Sequence, residues 1–294
     1  MNPDDNSIVD RESAGPPPDP MIEVSNPAHS LPDVPVARPV LVDSLPAHVT
    51  VGGTYDVSGS LASSLVRLTP WRAVWQLVCL LLAGLAGVVI GLLLMAGVQL
   101  RDERWANMFI TAFAGMTCIL AAFALVGAAR QRPSAIGWRV NNILADVGLG
   151  VAGAFGMYMV MMMAAMVLVL IRPDLMDQAQ KGIEKTIPRA SIPMMVAFMA
   201  FVALWEEVVF RGFLLTRLFA VFRRWWLAVL VGSVLFSLGH AYQGVVATVV
   251  IGCVGIVLGV MFVWRRSLLP VIVFHMMFNL IGLLILRSQS ETWK

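Results

Sequence analysis

The chain has 294 residues, of which 59% are hydrophobic and only 13% are charged. A soluble domain carries about 25% charged residues, so this composition excludes an ordinary soluble protein. The net charge of +3 does not indicate nucleic-acid binding, because the basic residues lie in short loops between apolar runs, as juxtamembrane anchors do. We therefore predict an all-α fold, a polytopic integral membrane bundle of about seven to eight transmembrane helices.

Residues 1–66 form the polar part of the chain. They carry nine acidic and two basic residues and the proline-rich stretches GPPPDP and LPDVPVARPV. Such a segment buries too little apolar surface to order itself, so we predict a disordered N-terminal tail. Its first residues, MNPDDNSIVD, lack the basic start and apolar run of a signal peptide. The remainder, 67–294, has 19 basic and nine acidic residues, a net charge of +10.

Within 67–294, seven apolar runs approach or exceed the roughly 20 residues that a helix needs to cross a bilayer. These runs are 73–99, 105–129, 143–171, 192–216, 225–242, 244–264 and 268–286. The segment 172–190 is a candidate for an additional interfacial helix, which would be an eighth element.

The basic residues divide between the two ends of the predicted helices. If seven helices alternate in direction, eight basic residues collect at one end. The other end collects ten arginines, which are Arg67, Arg72, Arg130, Arg132, Arg139, Arg217, Arg223, Arg224, Arg265 and Arg266. These ten lie in shorter loops with almost no acidic neighbours. The positive-inside rule therefore predicts that this end, with the tail, is cytoplasmic. We expect a multi-pass protein of the plasma (inner) membrane.

Two adjacent glutamates, Glu206 and Glu207, interrupt the apolar stretch IPMMVAFMAFVALWEEVVFRGFLLTRLF. Ionisable residues at membrane depth are costly, so they indicate a functional site. Helix neighbours on one face are three or four residues apart, which pairs Glu207 with Arg211 and turns Glu206 about 100° away. Glu207 is thus predicted to support the structure. A desolvated carboxylate without a local cation, as predicted for Glu206, suits a general base.

Two histidines also lie within apolar runs. His240 follows Phe236 by one helical turn, and His275 precedes Asn279 by one turn. Each feature has an ordinary explanation, because an intramembrane histidine or asparagine can simply hold helices together and a Glu–Arg pair can be purely structural. Taken together, they are the side-chain types that activate and stabilise a reacting group.

The three motifs Glu206-Glu207-x-x-x-Arg211, Phe236-x-x-x-His240 and His275-x-x-x-Asn279 occur in that order on successive segments. This pattern resembles the CPBP family, which comprises CAAX proteases and bacteriocin-processing enzymes and is also called Abi or type II CAAX prenyl endopeptidases. The resemblance covers roughly 130–286 and includes the loop RQRPSAIGWR. It leaves the tail without a counterpart.

The resemblance implies an intramembrane glutamate-type endopeptidase acting on a hydrophobic or lipidated peptide or protein. By this likeness, Glu206 and His240 would activate a water, His275 and Asn279 would stabilise the oxyanion, and Glu207, Arg211 and Phe236 would support the site. Members of the family are often labelled metalloendopeptidases.

Two alternatives remain open at this stage. The first is a zinc enzyme that uses Glu206, His240 and His275 as ligands. We favour catalysis without a cofactor, because the chain has no His-Glu-x-x-His motif. The second is a non-proteolytic scaffold or a proton-coupled transporter, since intramembrane Glu and His also build proton relays. Substrate identity and oligomeric state do not follow from the sequence.

Overall fold

A computed structural model describes residues 68–96, 98, 103–172, 174–175 and 190–289 of the chain. Throughout these residues the regular structure is helical, with no strand. The predicted disordered tail at 1–66 lies outside the described residues. The candidate interfacial helix within 172–190 lies largely outside them as well.

The described ranges contain seven apolar helices, which confirms the predicted helical bundle. They are α1 Pro70–Ala96, α2 Glu103–Ala128, α3 Ile143–Ile171, α4 Ile192–Phe222, α5 Trp225–Leu238, α6 Val245–Arg265 and α7 Leu269–Gln289. Five are long and apolar enough to cross a membrane, whereas α5 and the apolar part of α7, Leu269–Ile285, are shorter. The protein is therefore a multi-pass membrane protein.

The helices pair through small residues. Helix α1 packs along α2, α3 along α7, and α5 along α6. At Gly87 of α1, an added Cβ would lie only 2.8 Å from the Cα of Ala114 in α2. Small residues allow such close contact between helix backbones. Within a bilayer the lipid is as apolar as the helix surfaces, so this close packing, and not the hydrophobic effect, drives helix association.

Helix α4 lies in the middle of the bundle and contains a π-helical segment, Val208–Leu214. The backbone N–H of Leu215 bonds to the carbonyl of Phe210, five residues back. An added Cβ at Gly212 would lie 2.8 Å from the carbonyl oxygen of Ile136, so only glycine lets the α2–α3 connection approach this segment. π segments occur often at functional sites, and this one begins directly after the two glutamates.

Helix α4 extends six residues beyond the predicted end at 216, and this changes the position of Arg217. The sequence pattern places Arg217 with the loop arginines, but the residue is fully buried within the helix. Its guanidinium donates to the side-chain oxygens of Gln76 at 2.7 Å, Gln131 at 2.9 Å and Thr216 at 3.1 Å. It also lies over the ring of Phe213. The sequence pattern does not predict this burial. Gln76 and Gln131, which bind the guanidinium, are distant in sequence, so the arginine is interpreted as the end of a helix.

Candidate active site

Glu207 is a fully buried carboxylate with two charged or polar partners from different parts of the chain. Its Oε1 accepts a hydrogen bond from Nη1 of Arg211 at 2.6 Å and one from Nδ1 of His275 at 2.7 Å. All three side chains are buried. The pairing of Glu207 with Arg211 has the predicted i, i+4 spacing. The contact with His275, which is 68 residues away, could not be read from the local spacing.

Glu206 lies beside this pair but faces different groups. It is buried, and its Oε2 accepts no hydrogen bond from any described residue. The nearest nitrogen atoms belong to two imidazoles: Nε2 of His275 lies 3.7 Å away and Nε2 of His240 lies 3.9 Å away. The structure thus brings together Glu206, His240 and His275, which the sequence places on three separate segments.

Phe236 holds His240 in place from the end of α5. The backbone carbonyl of Phe236 accepts a hydrogen bond from Nδ1 of His240 at 2.9 Å, and the two rings meet edge to face with centroids 4.8 Å apart. The Arg211 guanidinium lies 4.3 Å from the centroid of the same phenyl ring. A cation over an aromatic face is favourable, and more so when both are desolvated. The Phe236 side chain therefore connects Arg211 of α4 to His240, which lies in the turn after α5.

The two hydrogen bonds at the Nδ1 atoms fix the orientation of both imidazoles. A backbone carbonyl and a carboxylate can only accept hydrogen bonds, so Nδ1 carries the hydrogen in His240 and in His275. In a neutral imidazole the other nitrogen, Nε2, then has a free lone pair. Both Nε2 atoms face Oε2 of Glu206, so three potential acceptors surround one point. A donor such as water can bind there.

Asn279 lies one turn after His275 on α7 and is half-buried. Its carboxamide makes no hydrogen bond to a described residue, unlike the side chains of Glu207, Arg211 and His240. The amide therefore does not serve to join helices among the residues that the structure describes. It is available as a donor beside His275.

The zinc alternative requires three ligands around one ion. Ligands at 2.0–2.2 Å from a tetrahedral zinc would be about 3.3 Å apart, whereas Glu206 Oε2 is 3.7 Å and 3.9 Å from the two Nε2 atoms. Across the described ranges, no group of three or more His, Cys, Asp or Glu side chains is arranged to hold a metal ion. The side chains as placed therefore do not fit the ion, and we derive no step through it.

The fold and the site define a class of protein: a multi-pass helical membrane protein with a buried carboxylate–imidazole site. Residues 188–281 match the family model described as Type II CAAX prenyl endopeptidase Rce1-like. This segment includes all three motifs, so the match confirms the resemblance to the CPBP and CAAX protease family. The matched family is a peptidase family of membrane-spanning hydrolases. No curated protein and no solved structure matched the chain.

Proposed function

We propose that the protein is an intramembrane endopeptidase in which Glu206 activates a water for attack on a peptide bond. The observation that carries this proposal is the position of Glu206 Oε2, buried and without a hydrogen bond, 3.7 Å and 3.9 Å from the Nε2 atoms of His275 and His240. A general base needs a free acceptor and a place for the proton donor beside it. Glu206 meets both conditions. Glu207 also has one oxygen without a hydrogen bond, Oε2, but its Oε1 accepts from Arg211 and His275, which commits this carboxylate to the two side chains.

In the proposed reaction, a water bound between Glu206 and His240 gives a proton to the carboxylate as its oxygen bonds to the scissile carbonyl carbon. The carbonyl π electrons move to oxygen and form a tetrahedral oxyanion. Collapse of this intermediate restores the carbonyl and breaks the C–N bond, and Glu206 returns its proton to the leaving nitrogen. The products are a carboxylic acid, which then releases its proton, and an amine, and the enzyme is regenerated without an oxidant or a covalent intermediate.

His275 and Asn279 are the proposed donors for the oxyanion, with His275 as an imidazolium, in which Nε2 also carries a hydrogen and the Glu207 carboxylate balances the charge. The Glu207 bond at Nδ1 fixes the imidazole of His275 with Nε2 toward the site, and the Asn279 amide is uncommitted on the same helix. Donors that are aligned in advance in a water-poor site commonly contribute a factor of about 10²–10³ each to kcat. Arg211 and Phe236 act through Glu207 and His240, so we assign them positioning roles.

The proposed substrate is a hydrophobic or lipidated peptide or membrane protein. The helices that carry the site are apolar, which suits a substrate that partitions into the membrane. We place the protein in the plasma (inner) membrane with its N-terminal tail in the cytoplasm, on the basis of the arginines clustered at one end of the bundle. We propose that the reaction needs no metal.

Mass spectrometry of cleaved termini tests this function across all the peptides and proteins of a membrane at once. Membranes containing the wild-type protein or the Glu206→Ala variant would be incubated in ¹⁸O-labelled water. We expect new C-termini that carry one ¹⁸O atom with the wild type and none above background with the variant. Identical sets of labelled termini in both samples would exclude the peptidase proposal and favour a scaffold or transporter.

A further inference from the structure

A second charged cluster lies at the end of the bundle where α6 meets α7. It contains Arg139 from the α2–α3 connection and Arg265 and Arg266 from the end of α6. Arg265 is neutralised, because its Nε and Nη2 both donate to Oδ1 of the buried Asp146, at 2.9 Å and 2.5 Å. Three guanidiniums thus share one carboxylate, which leaves a net charge of +2 on Arg139 and Arg266.

Arg139 and Arg266 are held next to each other by the backbone. Nε of Arg139 donates to the carbonyl of Arg266 at 2.8 Å, and Nε of Arg266 donates to the carbonyl of Val263 at 2.6 Å. Each arginine uses only Nε in these bonds, so the terminal nitrogens stay available. Both side chains are partly buried. Neither makes an ion pair within the described part of the chain.

The proximity of two like charges has an electrostatic cost. Burial lowers the pKa of Arg266, and the charge of Arg139 lowers it further. Burial also lowers the pKa of Arg139, with Asp146 opposing and Arg265 adding to the effect. Two half-buried cations that repel each other and have no carboxylate of their own would be stabilised by an external anion.

The surroundings indicate where that anion comes from. The Arg266 guanidinium lies 4.6 Å from the ring centroid of Trp225. Exposed tryptophans are concentrated at this end of the helices, and tryptophans typically mark the headgroup level of a membrane. They are Trp71, Trp75, Trp138, Trp226 and Trp264. The phosphate diesters of lipid headgroups are the anions present at that depth, and a guanidinium can form bidentate hydrogen bonds to phosphate oxygens.

We propose that Arg139 and Arg266 form a binding site for the phosphate of an anionic phospholipid headgroup. The indole of Trp225 lies beside it, and basic pockets between helix ends are a known form of headgroup site. The site is separate from the glutamates and does not depend on the proposed peptidase function. It is located in the connection that leads into α7, so bound lipid also fixes this end of the helix that carries His275.

Native mass spectrometry of the full chain in neutral detergent tests the site. Dioctanoyl phosphatidylglycerol, dioctanoyl phosphatidylcholine and inorganic phosphate would be titrated separately, and the phosphatidylglycerol titration would be repeated with excess phosphate. We expect saturable binding of phosphatidylglycerol and much weaker binding of phosphatidylcholine. Equal binding of the two lipids would overturn the proposal. Complete displacement by inorganic phosphate would show that the site takes a free anion instead of a lipid.

Three double variants distinguish an effect of the two positive charges on lipid binding from an effect of altered structure. Arg139→Gln/Arg266→Gln should weaken phosphatidylglycerol binding about 25-fold, from about fivefold for each charge near the surface. Arg139→Lys/Arg266→Lys loses the same Nε hydrogen bonds but keeps both charges, so it should bind within about fivefold of wild type. The control Arg130→Gln/Arg132→Gln, which removes two exposed arginines of the same connection, should bind within twofold.

Unchanged binding in the glutamine variant, or an equal loss in the control, would refute the site. If the glutamine variant does not fold, the wild type still provides a test. Screening by 1 M salt, where the Debye length is about 3 Å, should reduce phosphatidylglycerol binding at least fivefold, and binding that is insensitive to salt would contradict the proposal.

Discussion

His275 Nδ1 lies 2.7 Å from Oε1 of Glu207, the same oxygen that Arg211 contacts at 2.6 Å. One carboxylate oxygen therefore joins the π segment of α4 to α7. This contact gives Glu207 two tasks, since it neutralises a buried arginine and fixes the orientation of an imidazole. It also distinguishes Glu207 from Glu206, which makes neither of these hydrogen bonds.

The first prediction concerns the different roles of the two glutamates. Glu207→Gln should lower the free energy of unfolding by about 3–5 kcal/mol, because it leaves the buried Arg211 without a counter-charge. Glu206→Gln removes no hydrogen bond that the structure shows and should change stability by less than about 1 kcal/mol. Thermal unfolding of the two purified variants gives the comparison. A Glu207→Gln protein as stable as wild type but inactive, beside an active Glu206→Gln protein, would reverse the two roles.

Asn279→Ala should impair catalysis and leave the fold intact. The amide makes no hydrogen bond to a described residue, so its loss should leave the unfolding temperature within about 2 °C of wild type. If it donates to the oxyanion, kcat should fall by about 10²–10³ with little change in KM. Steady-state kinetics measure both constants. A rise in KM at constant kcat would instead assign Asn279 to substrate binding.

His240→Asn tests the nitrogen that faces Glu206. The asparagine amide can still donate to the carbonyl of Phe236, but it has no group at the position of Nε2. We expect a stable protein whose kcat is lower by about 10²–10⁴, the usual contribution of acid–base assistance. The control is Tyr242→Phe, which alters an exposed neighbour stacked near His240 and should retain most activity. Full activity of His240→Asn would remove this imidazole from the mechanism.

Chelation distinguishes the two peptidase mechanisms. After exhaustive dialysis against a strong chelator, the enzyme should keep its full activity, because the proposed steps use only side chains and water. The same samples should be analysed for zinc by elemental mass spectrometry. Loss of activity that zinc restores, with one zinc bound per chain, would establish the metalloprotease alternative.

The buried Arg217 provides a prediction about stability alone. Arg217→Lys should lower the free energy of unfolding by about 2–3 kcal/mol, because a lysine cannot reach the oxygens of Gln76, Gln131 and Thr216 together. Turnover per folded molecule should stay within twofold of wild type, since Arg217 contacts none of the site residues. A selective loss of turnover in a stable variant would show that this arginine takes part in the site.

The helices can be predicted because their signal is local. Runs of about 20 apolar residues indicate all seven helices, and the spacing of Glu207 and Arg211 indicates their ion pair. The order of the three motifs also indicates the family. These features depend on periodicity over one or two turns, which the sequence records directly.

Contacts between distant segments cannot be predicted in the same way. The hydrogen bond from His275 to Glu207 and the hydrogen bonds from Arg217 to Gln76 and Gln131 depend on how the helices pack. One sequence gives no direct information about this packing. The π segment is also missed, because a single wider turn does not change a residue pattern in which only Arg211 interrupts the apolar side chains. The same pattern places Arg217 in a loop, although the helix continues past it to Phe222.

The most direct test of Glu206 as the base is the turnover of Glu206→Gln with purified protein in liposomes. Wild type and variant, at equal folded amounts, would be given an internally quenched farnesylated CAAX peptide and a panel of hydrophobic peptides. We predict cleavage by the wild type and a rate at least about 10³-fold lower in the variant, whose amide cannot accept the proton of water. Equal cleavage by both proteins would contradict the assignment of Glu206 as the base.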